Sequence, residues 1–224
     1  MTKYKIKKSQ HYDFFYLPDS LAEKEIDEII EKQETEYGRI LDFLGVENNR
    51  RIKYFLYPSK EIKNQLTGDE GNGHADREKF EIHAVYNDDI KCIGAHEDTH
   101  LLSTPLGLPP QLLREGLAEY MSEKWHDKTH DEWAVIYMNE NKVPNLETLI
   151  DDEEWYELDD MPSYPIAGSF VGFLIKRYGK ATLFELYENI NRDMKTEINL
   201  RTFEKIMGKT LGHIETEWKN QLKN

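Results

Sequence analysis

The chain has 224 residues, enough to bury a substantial core as one domain or two packed halves, and carries a formal net charge of −14. That charge argues against a nucleic-acid partner, because phosphates demand clustered Lys and Arg. No apolar run approaches a membrane span, Met1 to Lys5 leads into polar residues instead of a signal-peptide core, and the single Cys92 cannot form an internal disulfide. A cytoplasmic location is the expectation, or an extracellular one if an export signal has been removed. Oligomeric state is not legible in these features.

In chain order, His11 to Leu17 reads as a short strand and Pro18-Asp19-Ser20 as a turn. Ser20 with Glu23 forms a capping-box signature that opens a long helix, whose apolar face runs through Leu21, Ile26, Ile29, Ile30, Tyr37, Leu41 and Leu44 until Gly45 stops it. Ile52 to Tyr57 is a second strand ended by Pro58, followed by a helix near Lys60 to Leu66. Gly68 to Asp76 is Gly-rich and is expected as a loop that flexes over a cleft; it lacks the spacing of a phosphate-binding loop, and Gly208-Lys209-Thr210 lacks the upstream Gly of a Walker motif. Lys79 to Tyr86 alternates polar and apolar residues and predicts a strand ending at Asn87-Asp88-Asp89. At the lip of a cleft, such an edge strand pairs main chain to main chain with a peptide.

His96-Glu97-Asp98-Thr99-His100 follows, a complete HExxH signature. On a helix, residues four apart lie one turn above each other, so His96 and His100 offer two imidazole nitrogens to one ion. Glu97 then stands beside the metal, where a general base takes a proton from activated water. Asp98 reads as solvated. Thr104 to Pro110 cannot continue a helix, and Pro110 is suited to open the next one, predicted over Gln111 to Trp125. That second helix carries two candidates for a third ligand one turn apart, Glu115 and Glu119.

At this point the chain resembles the gluzincin zinc metallopeptidases, the thermolysin and aminopeptidase N-like group, in the segments HEDTH and REGLAEY. The family's ligand glutamate is commonly followed by glycine, which the resemblance maps to Glu115; the usual eighteen-residue interval from the second histidine points instead to Glu119. The local segment is preferred, since loop length shrinks without changing a site. Glu119 then reads either as a carboxylate that orients a zinc-bound histidine, as an acidic residue does in thermolysin-like members, or as a solvated glutamate on a helix face. Ser163 to Leu174 resembles the family segment in which a tyrosine stabilises the oxyanion, and Tyr164 is the residue carried over; its other reading is a tyrosine that packs on a helix and bonds a backbone carbonyl. The aminopeptidase segment that holds a substrate's free amine has no counterpart, so exopeptidase specificity is not implied.

Further helices are predicted over Asp131 to Asn139, Tyr164 to Tyr178, Ala181 to Ile190, Leu200 to Met207 and Leu211 to Leu222. The acidic run Asp151 to Asp160 reads as a solvated loop, with a cleft rim selecting basic peptides or holding calcium as the sharper alternative. His74 and His83 are weak candidates for substrate contacts, and His11, His126, His130 and His213 carry no signal. The expected fold class is α+β: a mixed half with a small sheet over residues 1–109 leading into the zinc-binding helix, and a mostly helical half over 110–224, together one zincin-like catalytic unit. The function implied is hydrolysis of a peptide or protein substrate, with Zn2+ on His96, His100 and Glu115, Glu97 as base and Tyr164 at the oxyanion. The alternative is a non-catalytic zinc-stabilised module that binds peptides or proteins.

Overall fold

The computed structural model describes residues 4–158 and 160–223. The fold is α+β, and the chain divides into two compact units, Met1–Pro105 and Leu106–Asn224.

The first unit is built on a five-stranded sheet of β1 (Lys5–Lys8), β2 (Tyr12–Tyr16), β3 (Ile52–Tyr57), β4 (Gly73–Asp76) and β5 (Glu81–Val85), in the order β1-β2-β3-β5-β4. The three inner strands are parallel and the two edges antiparallel. Strand alternation sends Tyr12, Phe14, Ile52, Tyr54, Leu56, Ile82 and Ala84 to one fully buried face. The opposite parity carries Phe15, Phe55, His83 and His74, which stand directly across from one another on four neighbouring strands. Their rings stack in one row, with centroids 4.6 Å, 4.8 Å and 4.8 Å apart. Lysines at three of four positions blunt the β1 edge.

Ser20 caps the first helix through the Glu23 amide, as its sequence requires, but the long helix is interrupted at Glu25, giving α1 (Leu21–Lys24) and α2 (Ile26–Leu44). Gly45 ends α2 in the left-handed conformation that glycine adopts without a Cβ penalty. A third helix, α3 (Lys60–Thr67), capped by Ser59, packs on β3 and β5. The HExxH segment is α4 (Ala95–Leu102), packed against α2 and β4.

Two expectations for this unit are corrected. Gly73–Asp76 is not part of a flexing loop but the edge strand β4, because Gly73 to Asp76 pair in register with Ala84 to Glu81. In consequence β5 is an inner strand, hydrogen-bonded on both sides, and cannot itself offer a free edge.

The second unit comprises α5 (Gln111–Ser122), a short hairpin of β6 (Lys124–Trp125) and β7 (Lys128–Thr129), then α6 (His130–Asn139), α7 (Asp152–Tyr156), α8 (Asp160–Tyr178), α9 (Lys180–Asn189), α10 (Thr196–Met207) and α11 (Leu211–Leu222). The helix from Gln111 stops at Ser122, three residues before the sequence reading had it, since Glu123 turns to a φ of 67° and starts the hairpin. A capping box at Thr129 and Glu132 then opens α6. Close approach of α5 and α8 is possible because Gly116 and Gly168 lack side chains: a Cβ on Gly116 would stand 2.7 Å from the Ala167 carbonyl oxygen. Leu112, Leu117, Ile166, Phe170, Val171, Leu183, Phe203 and Trp218 fill the core, each fully buried. Burial of side chains of this size stabilises by about 1.5–3 kcal/mol apiece.

The acidic stretch is partly helical instead of a loop, and its carboxylates divide. Asp151 accepts the Glu153 amide and the Thr196 hydroxyl, Asp152 accepts the Gln111 amide and pairs with Arg192, and Trp155 is buried. Glu153, Glu154 and Glu157 are exposed, as the solvated reading expects. Asp159 lies outside the described residues.

Candidate metal centre

The first unit contributes the HExxH helix. One turn of α4 brings Nε2 of His96 to 3.3 Å from Nε2 of His100, with the rings nearly perpendicular. Two nitrogens at ~2.0–2.1 Å from a common tetrahedral zinc ion stand ~3.3–3.4 Å apart. The histidine pair therefore already has the spacing of two ligands to one ion.

Glu97 is largely withdrawn from water, and its carboxylate rests against the edge strand at Gly73. A Cβ at position 73 would meet Glu97 Oε1 and Cys92 Sγ, so glycine leaves room for both groups. Burial, with the Glu97 charge adding, pushes the Cys92 thiol up to about 12. Cys92 is thus a neighbour of Glu97, and it lies outside the His96, His100 and Glu115 group.

Asp98, read from the sequence as solvated, is completely buried. Its Oδ1 accepts the Tyr12 hydroxyl at 2.8 Å, and its Oδ2 accepts the side-chain amide of Gln33. Burial, before any effect of Asp98, holds the Tyr12 phenol well above its usual range, so it remains a donor, and burial likewise pushes the Asp98 carboxyl up. Gln33 also pairs with Gly94, accepting its N–H at 2.6 Å and donating to its carbonyl at 3.2 Å. Gln33 occupies the buried row Ile26, Ile29, Gln33, Tyr37, Ile40 and Leu44 of α2. A polar residue in an otherwise apolar row was the available signal for this network.

His74 and His83 stack on each other and project to the sheet face opposite the one Gly73 turns toward Glu97. Burial lowers the pKa of both, that of His83 to about 4, and Tyr57 pairs with His83 Nδ1 at 2.8 Å. Their neutral rings serve the ring row of the sheet.

The second unit contributes Glu115 and Glu119, both buried on α5. Glu119 is not solvated: its Oε2 lies 2.7 Å from Nε2 of His130, a residue without any signal in the sequence. A Cβ on Gly168 would collide with both partners, so that glycine makes space for the pair. Tyr164 is half-buried, its ring stacked on Trp125 at 5.3 Å and set edge-on to Trp155 at 5.6 Å. The aromatic neighbours restrict its ring, as an oriented phenol would need.

Among the described residues, His96 and His100 of the first unit and Glu115 of the second are the side chains with the donor chemistry to hold a metal ion. Two imidazoles and a carboxylate are a donor set that would suit a zinc-type divalent cation.

No family model matches this chain, and no curated protein matches it in sequence. No helix among the described residues is long and apolar enough to cross a membrane.

Proposed function

We propose that this chain is a zinc-dependent peptidase of gluzincin-like type. The observation that carries the reading is the 3.3 Å separation of the two imidazole nitrogens, with a buried glutamate next to the first of them in sequence. His96, His100 and Glu115 would hold the ion. Bound zinc supplies Lewis acidity, acidifying water to a pKa of about 7 and polarising a carbonyl.

The remaining steps belong to the chain. Glu97 takes the proton of the attacking water and hands it to the departing amine, so that no free hydroxide or amide anion forms. Gly73 leaves the space that its carboxylate occupies, and partial withdrawal from water strengthens its interaction with the developing charge. Tyr164 donates its phenolic proton in a hydrogen bond to the oxyanion. Glu119 acts behind the ligands as an oriented carboxylate, itself fixed by His130.

Cleavage of a quenched peptide library by the purified chain tests the reading, with product bonds identified by mass spectrometry. Wild-type protein is expected to cut in a manner abolished by a chelator and restored by zinc, and Glu97→Gln to retain zinc without turnover. An active Glu97→Gln protein would remove Glu97 as the base. Zinc binding without any cleavage across the library would favour the non-catalytic binding module instead.

A further inference from the structure

The HExxH helix starts without a side-chain cap of its own. Its first residue is preceded by Gly94, at φ 122° and ψ −152°, a conformation that residues with a Cβ rarely adopt. What holds this start lies elsewhere in the chain. The Gln33 side-chain amide bonds both backbone groups of Gly94, and its second N–H reaches Asp98, which also takes the Tyr12 hydroxyl. Gln33, Asp98 and Tyr12 are each completely buried, and they come from α2, α4 and β2.

The network meets α4 at two places, the Gly94 backbone and the Asp98 side chain. Asp98 is two residues from each histidine of the motif, so it projects about 200° around the helix from either one. An anchor on the back of a helix fixes its rotation, and rotation decides where two side chains on the front converge.

We propose that Gln33, Asp98 and Tyr12 are positioning residues that set the rotation of α4 and so preorganise His96 and His100 as a ligand pair. This deepens the zinc reading above and rests on it. The network stands behind the metal ligands and touches neither substrate nor ion. Its effect is to spare the binding event the ordering of two imidazoles.

The test is zinc affinity by chelator competition, together with the visible spectrum of the cobalt(II) form, on proteins shown to be folded by circular dichroism. Asp98→Asn turns an amide toward the Gln33 amide, and Gln33→Met keeps the bulk without the bonds. Both are expected to weaken zinc by about 10- to 100-fold, the range of losses seen when groups behind metal ligands are removed, and to alter the cobalt spectrum. Ile40→Val, a core change on the same helix as Gln33, serves as the stability control and should leave affinity within about twofold. Should Gln33→Met fail to fold, Tyr12→Phe removes only the hydroxyl and its contacts with Asp98 and the Gln33 backbone carbonyl, and is expected to weaken zinc several-fold.

Folded variants with wild-type affinity and an unchanged cobalt spectrum would overturn the positioning role. A wild-type chain that binds no zinc would overturn both this proposal and the metal reading. Zinc binding weakened as expected, in a wild type that cuts no peptide, would support the positioning role and sink the peptidase reading alone.

Discussion

Gly73 and Glu97 fit each other as space and occupant: a Cβ on the glycine would stand 2.8 Å from Oε1 of the glutamate and 2.6 Å from Cys92 Sγ. Both obstacles are ends of side chains, so Gly73→Ala is tolerated by the fold at the expense of moving the carboxylate. Displacing a catalytic group by about 1 Å costs on the order of 10²-fold in rate. Gly73→Ala is therefore expected to retain zinc and most of its stability while kcat falls by about that factor. A kcat within about threefold of wild type would mean that Glu97 is not held in its working position by this contact.

Glu119 and His130 form a buried pair, and cutting it leaves an imidazole without that partner. Glu119→Ala is expected to lose about 2–3 kcal/mol of stability, the usual loss for a hydrogen bond to a charged group. Zinc affinity should drop less than in Glu115→Ala, which is expected to lose the metal. Metal analysis of the two variants side by side checks the ranking, and the reverse order would assign the ligand to Glu119.

His83 supplies a pH dependence of stability. Burial, with His74 and Lys63 nearby, holds its pKa at about 4, below the ordinary 6.5. Between those values the unfolded chain binds a proton that the folded chain refuses. Stability from this group is therefore complete above about pH 6.5 and is lost as pH falls toward 4, by on the order of 3 kcal/mol for this buried ring. Urea midpoints of wild type and His83→Phe across this window should diverge from parallel by that amount; parallel curves would show that His83 titrates normally in the fold.

Gly168 and Gly116 set the distance between α5 and α8. A methyl group at either position meets atoms that cannot all retreat, among them the Ala167 backbone for Gly116 and the Glu119 Cβ for Gly168. Each Gly→Ala change should cost about 1–3 kcal/mol by overpacking, although alanine is the better helix former by ~1 kcal/mol. Thermal melts check the sign: a stabilised Gly116→Ala protein would mean that the helices move apart readily.

Much of the architecture follows from local rules. Period-two alternation marked β5, Ser20 and Gly45 marked the outer limits of α1 and α2, and a 3.6-residue turn put His96 and His100 on one helix face. Each of these depends on residues a few positions apart. Short elements escaped the same reading: β1 and β4 have four residues each and β6 and β7 two, too few for any period to register.

By itself, then, the sequence determined which residues share a helix face, where most helices begin and end, and which side chains have the chemistry to bind a cation. Tertiary structure decided the rest, because it concerns partners far apart in the chain. Asp98 is buried only because Gln33 and Tyr12, 65 and 86 residues away, bring it hydrogen-bond donors that replace water. Likewise Gly73 becomes the seat of Glu97 through strand pairing, and His130 gains a role through Glu119. A polar side chain can be buried wherever the fold supplies its bonds, and no local pattern states where that will be.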